Sequence, residues 1–107
     1  LLENLIFNLC DNAIKYNKKG GFVEIVLEKL PNEVVFRVKD SGVGIPKEYL
    51  SRIFERFFCV DKGRSKKLGG SGLGLSIVKS ALKYNNAQIE VKSEVGVGSE
   101  FIVHFKI

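Results

Sequence analysis

Four short segments in which apolar residues recur at every second position constrain the fold of this chain most. Side chains alternate between the two faces of a β-strand, so each segment is predicted to be a strand with one apolar and one mostly polar face. An antiparallel sheet that is covered on one side has this distribution of side chains. Turn-forming residues separate the first two segments and the last two, which predicts two hairpins. The segments are residues 22–29, 33–40, 88–94 and 99–106.

Apolar residues at spacings of three and four predict helices over residues 1–17 and 73–84. Pro46 suits the first turn of a short helix that ends near residue 53. The sequence therefore predicts an α+β fold, a two-layer α/β sandwich with about three helices on one face of a mixed, mostly antiparallel sheet. At 107 residues the chain forms one domain, and because it opens inside a helix it is expected to be part of a longer protein.

Composition excludes several classes of protein. Hydrophobic residues make up 45% and charged residues 27% of the chain, which is typical of a globular domain and too apolar for a disordered one. No apolar run approaches the roughly 20 residues of a transmembrane helix. Cys10 and Cys59 have no metal-ligand spacing, which argues against a disulfide scaffold and for a reducing compartment.

The excess of basic residues suits an anionic partner. The net charge of +5 comes from 17 basic and 12 acidic residues. A cluster of bases within residues 62–67 adjoins a glycine-rich segment, and residues 57–71 together predict a long mobile loop. Taken alone, the cluster fits a nucleic acid, a polyphosphate or a solvated surface.

The first predicted helix carries an unusual polar stripe. At about 100° per residue, Asn4, Asn8, Asn12 and Lys15 fall on one narrow side. Asparagine is a poor helix former, so a row of three costs stability and is less economical on a solvent-facing side than Glu or Lys. Carboxamide oxygens and an ammonium group can instead hold a hydrated magnesium ion and phosphate oxygens.

Two glycine-rich segments suggest a second and a third part of a site. Asp40 ends a strand ahead of two glycines, so its carboxylate can accept from an exocyclic amine while a flat ring approaches the backbone, although an ordinary turn has the same pattern. Residues 69–75 open a helix with four glycines, and free backbone N–H groups there form an anion site. This segment lacks both the Walker A pattern and a preceding strand, and therefore indicates phosphate binding and no more.

These elements in this order resemble the ATP-binding catalytic domain of sensor histidine kinases, members of the gyrase, heat-shock chaperone, histidine kinase and mismatch-repair ATPase superfamily with the Bergerat fold. The resemblance covers residues 1–107. Residues 8–16 look like the N box, 40–46 like the first glycine box, 53–58 like the F box, 70–79 like the second glycine box and 96–101 like the final G-x-G-T-x-F turn, with Ser99 for threonine.

The resemblance implies a role for each matched residue. Asn12 would ligate Mg²⁺, Asn8 would support the metal and the phosphates, and Lys15 would contact phosphate; these three are the predicted catalytic residues. Asp40 would accept from the adenine amino group of ATP, and Tyr16 would line the site. The other predicted ATP-binding residues are Gly42, Gly44, Ile45, Lys62, Arg64, Gly70, Ser71, Gly72, Leu73, Gly74 and Ser99. Phe54, Phe57 and Phe58 are predicted to be apolar anchors of the lid.

Two departures from related patterns bear on activity. Family members commonly have a basic residue at the position of Cys59, so either Lys62, Arg64 or another lid base replaces it, or phosphate transfer is weakened. A tolerated substitution is the simpler explanation of Cys59 than a nucleophile or a redox sensor. ATP-hydrolysing relatives have a glutamate at the position of Asn8, where it activates water; Asn8 is no base, which favours a kinase over a hydrolase.

The resemblance also implies partners and a location. The phosphate acceptor would be a histidine on a separate dimerisation domain of the same parent, through which a response regulator is reached; His104 is predicted to be a surface residue. The fragment would be a monomer, the parent a homodimer, and the domain would lie in the cytoplasm below a bacterial inner-membrane receptor. The alternative is a degenerate nucleotide-binding or sensing module without transfer. Nucleic-acid binding is excluded because the bases lie in a glycine lid without base-stacking aromatics.

Overall fold

A computed structural model of the chain describes residues 2–55 and 74–107, within which two α-helices pack on a four-stranded sheet. No helix in these two ranges is long and apolar enough to cross a membrane. The helices are α1 (Leu2–Lys15) and α2 (Gly74–Tyr84), and the strands are β1 (Val23–Lys29), β2 (Glu33–Asp40), β3 (Ala87–Glu94) and β4 (Gly98–Lys106).

The sheet has the strand order β1-β2-β4-β3. All three neighbouring pairs are antiparallel, so the described sheet is purely antiparallel where a mixed, mostly antiparallel one was predicted. The two predicted hairpins, β1–β2 and β3–β4, form with boundaries within one residue of the prediction. The two helices on a four-stranded sheet confirm the α+β fold class. The sequence could predict this class because strand alternation requires one face of the sheet to be covered.

The core lies between the two helices and the two central strands. α1 packs against β2, α2 packs against β3, and the two helices pack against each other. Burial of the apolar core side chains provides the main driving force for docking the helices on the sheet. The fully or almost fully buried core residues are Leu5, Leu9, Ala13, Phe36, Val38, Ile53, Val78, Ala81, Leu82, Phe101 and Val103.

The prediction of a buried apolar face is wrong along β1. Ile25 is 54% exposed and Leu27 is 71% exposed, although each pairs with a buried residue of β2. β1 is an edge strand, and in the part of the chain that the structure describes neither helix extends over it. Alternation therefore identified the strand and its face correctly and overestimated how far the helices cover that face.

The opposite face of the sheet is less exposed than its polar pattern predicts. Val35 and Ile102 lie on that face and are only 1% and 2% exposed. Each sits on a central strand beside long neighbours, with His104 opposite Val35 and Arg37 opposite Ile102. Long polar side chains can cover apolar neighbours with their carbon atoms and keep their charged ends in water.

The short helix predicted for residues 46–53 is reduced to a single 3₁₀ turn, Lys47–Tyr49. Pro46 caps this turn instead of occupying its first position. Turns follow as far as residue 55, and Ile53 is buried among them. The segment thus anchors one apolar side chain in the core without a regular helix. The mobile loop predicted for residues 57–71 lies outside the described residues.

Candidate functional site

The asparagine stripe of α1 faces the beginning of α2. A Cβ atom placed on Gly74, the first residue of α2, would lie 3.2 Å from Oδ1 of Asn8. Because residues four apart follow one another on a helix face, Asn4 and Asn12 continue this line along α1. The stripe therefore borders the groove between the helices, and an added side chain at Gly74 would crowd the Asn8 carboxamide.

The polar groups of the stripe differ in how they are occupied. The Asn8 amide donates to the backbone oxygen of Asn4 at 2.7 Å, which leaves the Asn8 carbonyl pointing towards Gly74. Asn12 is half-buried, and within residues 2–55 and 74–107 no hydrogen bond occupies its carboxamide. Lys15 Nζ lies 3.0 Å from Asp11 Oδ2 in a half-exposed ion pair. Asn12 thus offers a free oxygen ligand, and the Lys15 ammonium has further N–H donors besides the one directed at Asp11 for any phosphate that it binds.

Asp40 ends β2 as a buried carboxylate with one oxygen to spare. It is 8% exposed, and its Oδ1 accepts from the backbone N–H groups of Gly42 at 2.8 Å and Ser99 at 3.3 Å. Both hydrogen bonds that the described residues donate to Asp40 reach Oδ1, so Oδ2 is available to a ligand. Burial raises the pKa of Asp40 above its ordinary value, and the two backbone hydrogen bonds oppose that rise.

Backbone packing requires the glycines of the first glycine box. A side chain at Gly42 would collide with the backbone oxygen of Tyr16 at the end of α1. Gly44 has φ +76° and packs against the backbone oxygen of Glu94 at the end of β3. Such close approach and a positive φ are both properties of glycine. These two glycines therefore hold the Asp40 loop against α1 on one side and against the β3–β4 turn on the other.

Hydrogen bonds fasten the C-terminal end of α1 to the end of β2. The N–H of Val43 donates to the backbone oxygen of Tyr16 at 3.1 Å. Ser41 Oγ accepts from the N–H of Phe22 at 2.7 Å and lies 3.2 Å from Asn17 Oδ1. The helix that carries the asparagine stripe is thereby joined to the strand that carries Asp40, and the two predicted halves of the site belong to one structural unit.

Ser93 joins the site although the sequence analysis did not single it out. Its Oγ accepts from the N–H of Ile45 at 2.7 Å and lies 2.8 Å from Oγ of Ser99, which is itself 8% exposed. The signal for it was present, because alternation through Ile89 and Val91 places the side chain of residue 93 on the inward face. A serine at an inward strand position is buried among apolar neighbours only when it has partners.

The lid is the part of the predicted site that the described residues leave out. Phe54, at its start, is half-buried against the core, and Lys79 Nζ of α2 lies 6.0 Å from the centre of its ring. Of residues 70–74, which are predicted to close over the phosphates, Gly74 is the one that lies within the described ranges. The predictions that fall outside them concern Phe57, Phe58, Cys59, Lys62, Arg64, Gly70, Ser71, Gly72 and Leu73.

Comparison with known proteins identifies the family. The model of the histidine kinase-, DNA gyrase B- and HSP90-like ATPases matches residues 1–107. The chain belongs to this family. The sensor protein SrrB of Staphylococcus aureus is 38% identical to it over 102 residues, which are 95% of the chain and 18% of SrrB. The chain thus spans less than a fifth of this relative.

Solved structures of family members have the same fold. The mycobacterial sensor histidine kinase MprB superposes with a TM-score of 0.81 at 29% identity, over 96% of this chain and 68% of the MprB chain. Full-length ShkA, solved in complex with AMPPNP, gives 0.82 at 30% identity over 97% of this chain and 21% of ShkA. The nucleotide-free catalytic domain of the histidine kinase ThkA gives 0.80 at 28% identity, over 98% of this chain and 65% of that domain. The chain is therefore homologous to sensor histidine kinases.

Proposed function

We propose that this chain binds Mg-ATP and donates the γ-phosphate to a histidine on a separate dimerisation domain, as the catalytic domain of a sensor histidine kinase. The observation that carries this proposal is Asp40, a buried carboxylate with a free oxygen at the end of β2. A buried acceptor without a partner is costly unless a ligand donates to it. Homology to sensor kinases and the AMPPNP complex of ShkA favour a nucleotide as that ligand.

The adenine end of the proposed site consists of Asp40, Ser99 and the first glycine box. The exocyclic amine of adenine would donate to Asp40 Oδ2, since Oδ1 is occupied by Gly42 and Ser99. Guanine has a carbonyl oxygen at the same position and would place one acceptor against another. The carboxylate therefore selects adenine over guanine and holds the base in one orientation.

The phosphate end consists of the α1 stripe and the lid. A carboxamide oxygen such as that of Asn12 suits Mg²⁺, a hard cation that binds oxygen ligands. The chemistry that a bound magnesium ion supplies is neutralisation of the charge that develops on the phosphate oxygens. Asn8 and Lys15 would orient the phosphates from α1. From the sequence motif alone, Lys62, Arg64 and the glycine run that ends at Gly74 are proposed to enclose them.

The described residues favour transfer to an acceptor outside this chain over transfer to water. Asn8 occupies the place of the water-activating glutamate of the hydrolases, and a carboxamide cannot accept a proton. The chain's one histidine, His104, lies on the sheet face opposite to Asp40, and its ring nitrogens are 3.1 Å from Glu33 and 3.6 Å from Glu90. Positioning and charge neutralisation account for most phosphoryl-transfer catalysis, so a site without its own base is sufficient.

The partners follow from this assignment. The proposed acceptor is the dimerisation domain of the same parent, and a response regulator receives the phosphate from that domain. The chain itself is proposed to be a monomer, a homodimeric parent to arise through the dimerisation domain, and the location to be the cytoplasmic side of a bacterial inner-membrane receptor. Nucleic acid is not a proposed ligand.

Cys59 gives specific support to one alternative, a nucleotide-sensing module that binds ATP and transfers nothing. A neutral thiol in place of a base removes a charge near the terminal phosphate, which can be worth several kcal/mol, about a hundredfold or more in rate. The proposal requires that transfer persists, either because Lys62, Arg64 or another lid base replaces the missing charge or because its loss only weakens transfer. The alternative requires that no transfer occurs.

A single-turnover assay with radiolabelled ATP and the parent's dimerisation domain distinguishes the two functions. With the unmutated chain, we expect radiolabel on the dimerisation domain. We expect no label when the acceptor histidine of the dimerisation domain is replaced by glutamine. If no lid base compensates, Cys59→Arg should increase transfer about tenfold, or ~1.4 kcal/mol of barrier; if one does, Cys59→Arg should change little. A chain that binds ATP and labels nothing is the sensing module.

A further inference from the structure

Ser93 ties together three segments that surround the proposed adenine pocket. Its Oγ lies 2.7 Å from the N–H nitrogen of Ile45, 2.8 Å from Oγ of Ser99 and 3.1 Å from the backbone oxygen of Gly98. Ile45 belongs to the loop after Asp40, and Gly98 and Ser99 are the first two residues of β4. Ser93 thus joins that loop and the start of β4 to its own strand, β3.

The hydrogen count at Ser93 leaves two arrangements for the neighbouring Ser99 hydroxyl. A serine hydroxyl has one hydrogen and two lone pairs, and the N–H of Ile45 occupies one lone pair. If Ser93 donates to Gly98, then Ser99 donates to Ser93; if Ser93 donates to Ser99, then the Ser99 hydrogen is directed elsewhere. In the first arrangement the Ser99 hydrogen is used on Ser93, so the Ser99 oxygen remains as an acceptor; in the second, the Ser99 hydrogen remains as a donor. Without Ser93, the Ser99 hydroxyl loses this side-chain partner in either arrangement.

Ser99 contacts Ser93 through its hydroxyl and Asp40 through its backbone N–H. Ser93, Ser99 and Asp40 pair across β3, β4 and β2, so they form one row on the helix-facing side of the sheet. The Ser99 N–H donates to Asp40 Oδ1 at 3.3 Å, and both residues are 8% exposed. With the Ser99 hydrogen used on Ser93, the Ser99 oxygen and the free oxygen of Asp40 are two acceptors in one row, which suit a purine that donates at position 6.

We propose that Ser93 donates to Gly98 and accepts from Ser99, so that it is a positioning residue for base recognition, acting through the Ser99 oxygen to favour adenine over purines with a 6-oxo group. This inference rests on the proposed function, in which adenine binds at Asp40. Ser93 also holds Ile45, so the hydroxyl orders the pocket from two sides. Base preference is the property most sensitive to it, because recognition by buried polar groups depends on their alignment.

A second hydrogen bond makes the purely structural contribution of Ser93 smaller. The N–H of Gly96 donates to the backbone oxygen of Val43 at 2.9 Å, which holds the same loop against the same turn without Ser93. We therefore expect the fold to persist without the Ser93 hydroxyl. The orientation of Ser99 has no such duplicate among the described residues, since its hydroxyl contacts Ser93 alone.

The test is calorimetric binding of Mg-ADP and Mg-IDP to a set of variants. IDP carries a 6-oxo group in place of the 6-amino group and a hydrogen on N1, so its hydrogen-bonding character is reversed at both positions while its sugar and phosphates are the same. We expect Ser93→Ala to lower ADP affinity about fivefold, as for loss of one hydrogen bond, and to change IDP affinity little, so that the preference for ADP falls. Ser93→Thr, which keeps a hydroxyl, should restore most of that preference. Ser80→Ala, an exposed serine of α2, is the control and should change neither affinity.

A double-mutant cycle distinguishes a positioning residue from a brace. If Ser93 acts through Ser99, the Ser93→Ala/Ser99→Ala variant should lose no more of the ADP preference than Ser99→Ala does, because the two losses share one pathway. The inference would be overturned if the double variant lost ADP preference by the product of the two single losses, or if Ser93→Ala left the ADP preference unchanged.

Two further results keep the inference separate from folding and from the proposed function. Thermal unfolding checks each variant, and if Ser93→Ala does not fold, Ser93→Cys replaces it, since a thiol fills the space with weaker hydrogen bonds. An unchanged preference in Ser93→Cys would then overturn the inference. If the unmutated chain binds ADP and IDP equally, adenine recognition at Asp40 fails and the role of Ser93 fails with it. If the unmutated chain prefers ADP, only the role of Ser93 is at stake.

Discussion

At the scale of single residues, Asp40 is where binding and stability are expected to oppose each other. The carboxylate is buried in the ligand-free chain, its pKa is raised by that burial, and one of its oxygens has no donor among the described residues. The amine of a ligand would donate the hydrogen bond that this free oxygen lacks, and so offset the cost of burying the carboxylate. Replacing Asp40 should therefore change nucleotide affinity and stability in opposite directions.

Asp40→Asn is predicted to weaken ADP binding about thirtyfold, or ~2 kcal/mol. The asparagine oxygen can still accept from Gly42 and Ser99, but its amide would then face the amine of adenine with a donor. Calorimetric titration of both chains with Mg-ADP measures the loss. Equal affinity in the variant would show that Asp40 does not contact the base.

The same substitution is predicted to maintain or raise the stability of the ligand-free chain at neutral pH. Because the folded state binds the Asp40 proton more tightly than the unfolded state, stability falls as pH rises from the ordinary aspartate range of about 4 through the raised pKa. Asp40→Asn removes this dependence. Urea unfolding at pH 4 and pH 7 checks it: Asp40→Asn should gain relative to the unmutated chain as the pH rises, and a relative loss would contradict the burial argument.

Asn12→Ala is predicted to abolish the gain in ADP affinity that magnesium gives, with little effect on binding measured in a chelator. Asn12 has the free, half-buried carboxamide of the stripe. Asn4→Ala is the matched control, since Asn4 is an exposed asparagine of the same helix whose backbone oxygen, and not its side chain, bonds to Asn8. If both variants keep the magnesium effect, Asn12 is a structural residue.

At the scale of elements, two of the glycines with positive φ near the β3–β4 turn, Gly44 and Gly96, serve different purposes. Gly44 (φ +76°) packs against the backbone of Glu94, whereas Gly96 (φ +83°) has open space where a side chain would be. Gly96→Ala should cost about 1 kcal/mol from its backbone conformation alone, and Gly44→Ala more than about 2 kcal/mol because backbone must also move. Urea unfolding of the pair measures this difference, and equal costs would refute the packing role of Gly44.

The sequence predicted where the strands lie, but it could not predict which of them the helices cover. Alternation located all four strands, because a strand's side-chain period is a local property. It could not show that Ile25 and Leu27 lie on an edge strand beyond both helices, since strand order depends on distant contacts. The prediction of a short helix after Pro46 was wrong for a related reason. A 3₁₀ turn and the turns that follow it are enough to bury Ile53, so no regular helix is needed there.

The predictability of the site follows the same division. Asn8 and Asn12 stand out because they belong to a row of poor helix formers on one side of a helix, and Asp40 stands out because it ends a strand ahead of two glycines. Ser93 did not stand out, because its importance depends on a contact with Ser99 across two strands and on a hydrogen bond with Ile45, 48 residues away in sequence. Gly42 was expected to let a flat ring approach the backbone. In the structure, the backbone of Tyr16 lies where a side chain of residue 42 would be.

At the scale of the whole molecule, nucleotide binding should stabilise the fold, because the site joins α1, β2 and the β3–β4 turn. A ligand that binds the folded state alone adds about 2.7 kcal/mol at a hundred times its dissociation constant. We expect Mg-ADP to raise the melting temperature, and a chelator to remove part of the increase. A melting temperature independent of Mg-ADP would exclude this site.

The account depends most directly on adenine recognition, and one measurement addresses it. Calorimetric titration of Mg-ADP and Mg-GDP into the unmutated chain compares a base that donates at position 6 with one that accepts there. With Asp40 Oδ2 as the acceptor, ADP should bind at least about tenfold more tightly than GDP, or ~1.4 kcal/mol. Equal affinities for the two nucleotides would contradict the assignment of Asp40 and, with it, the proposed site.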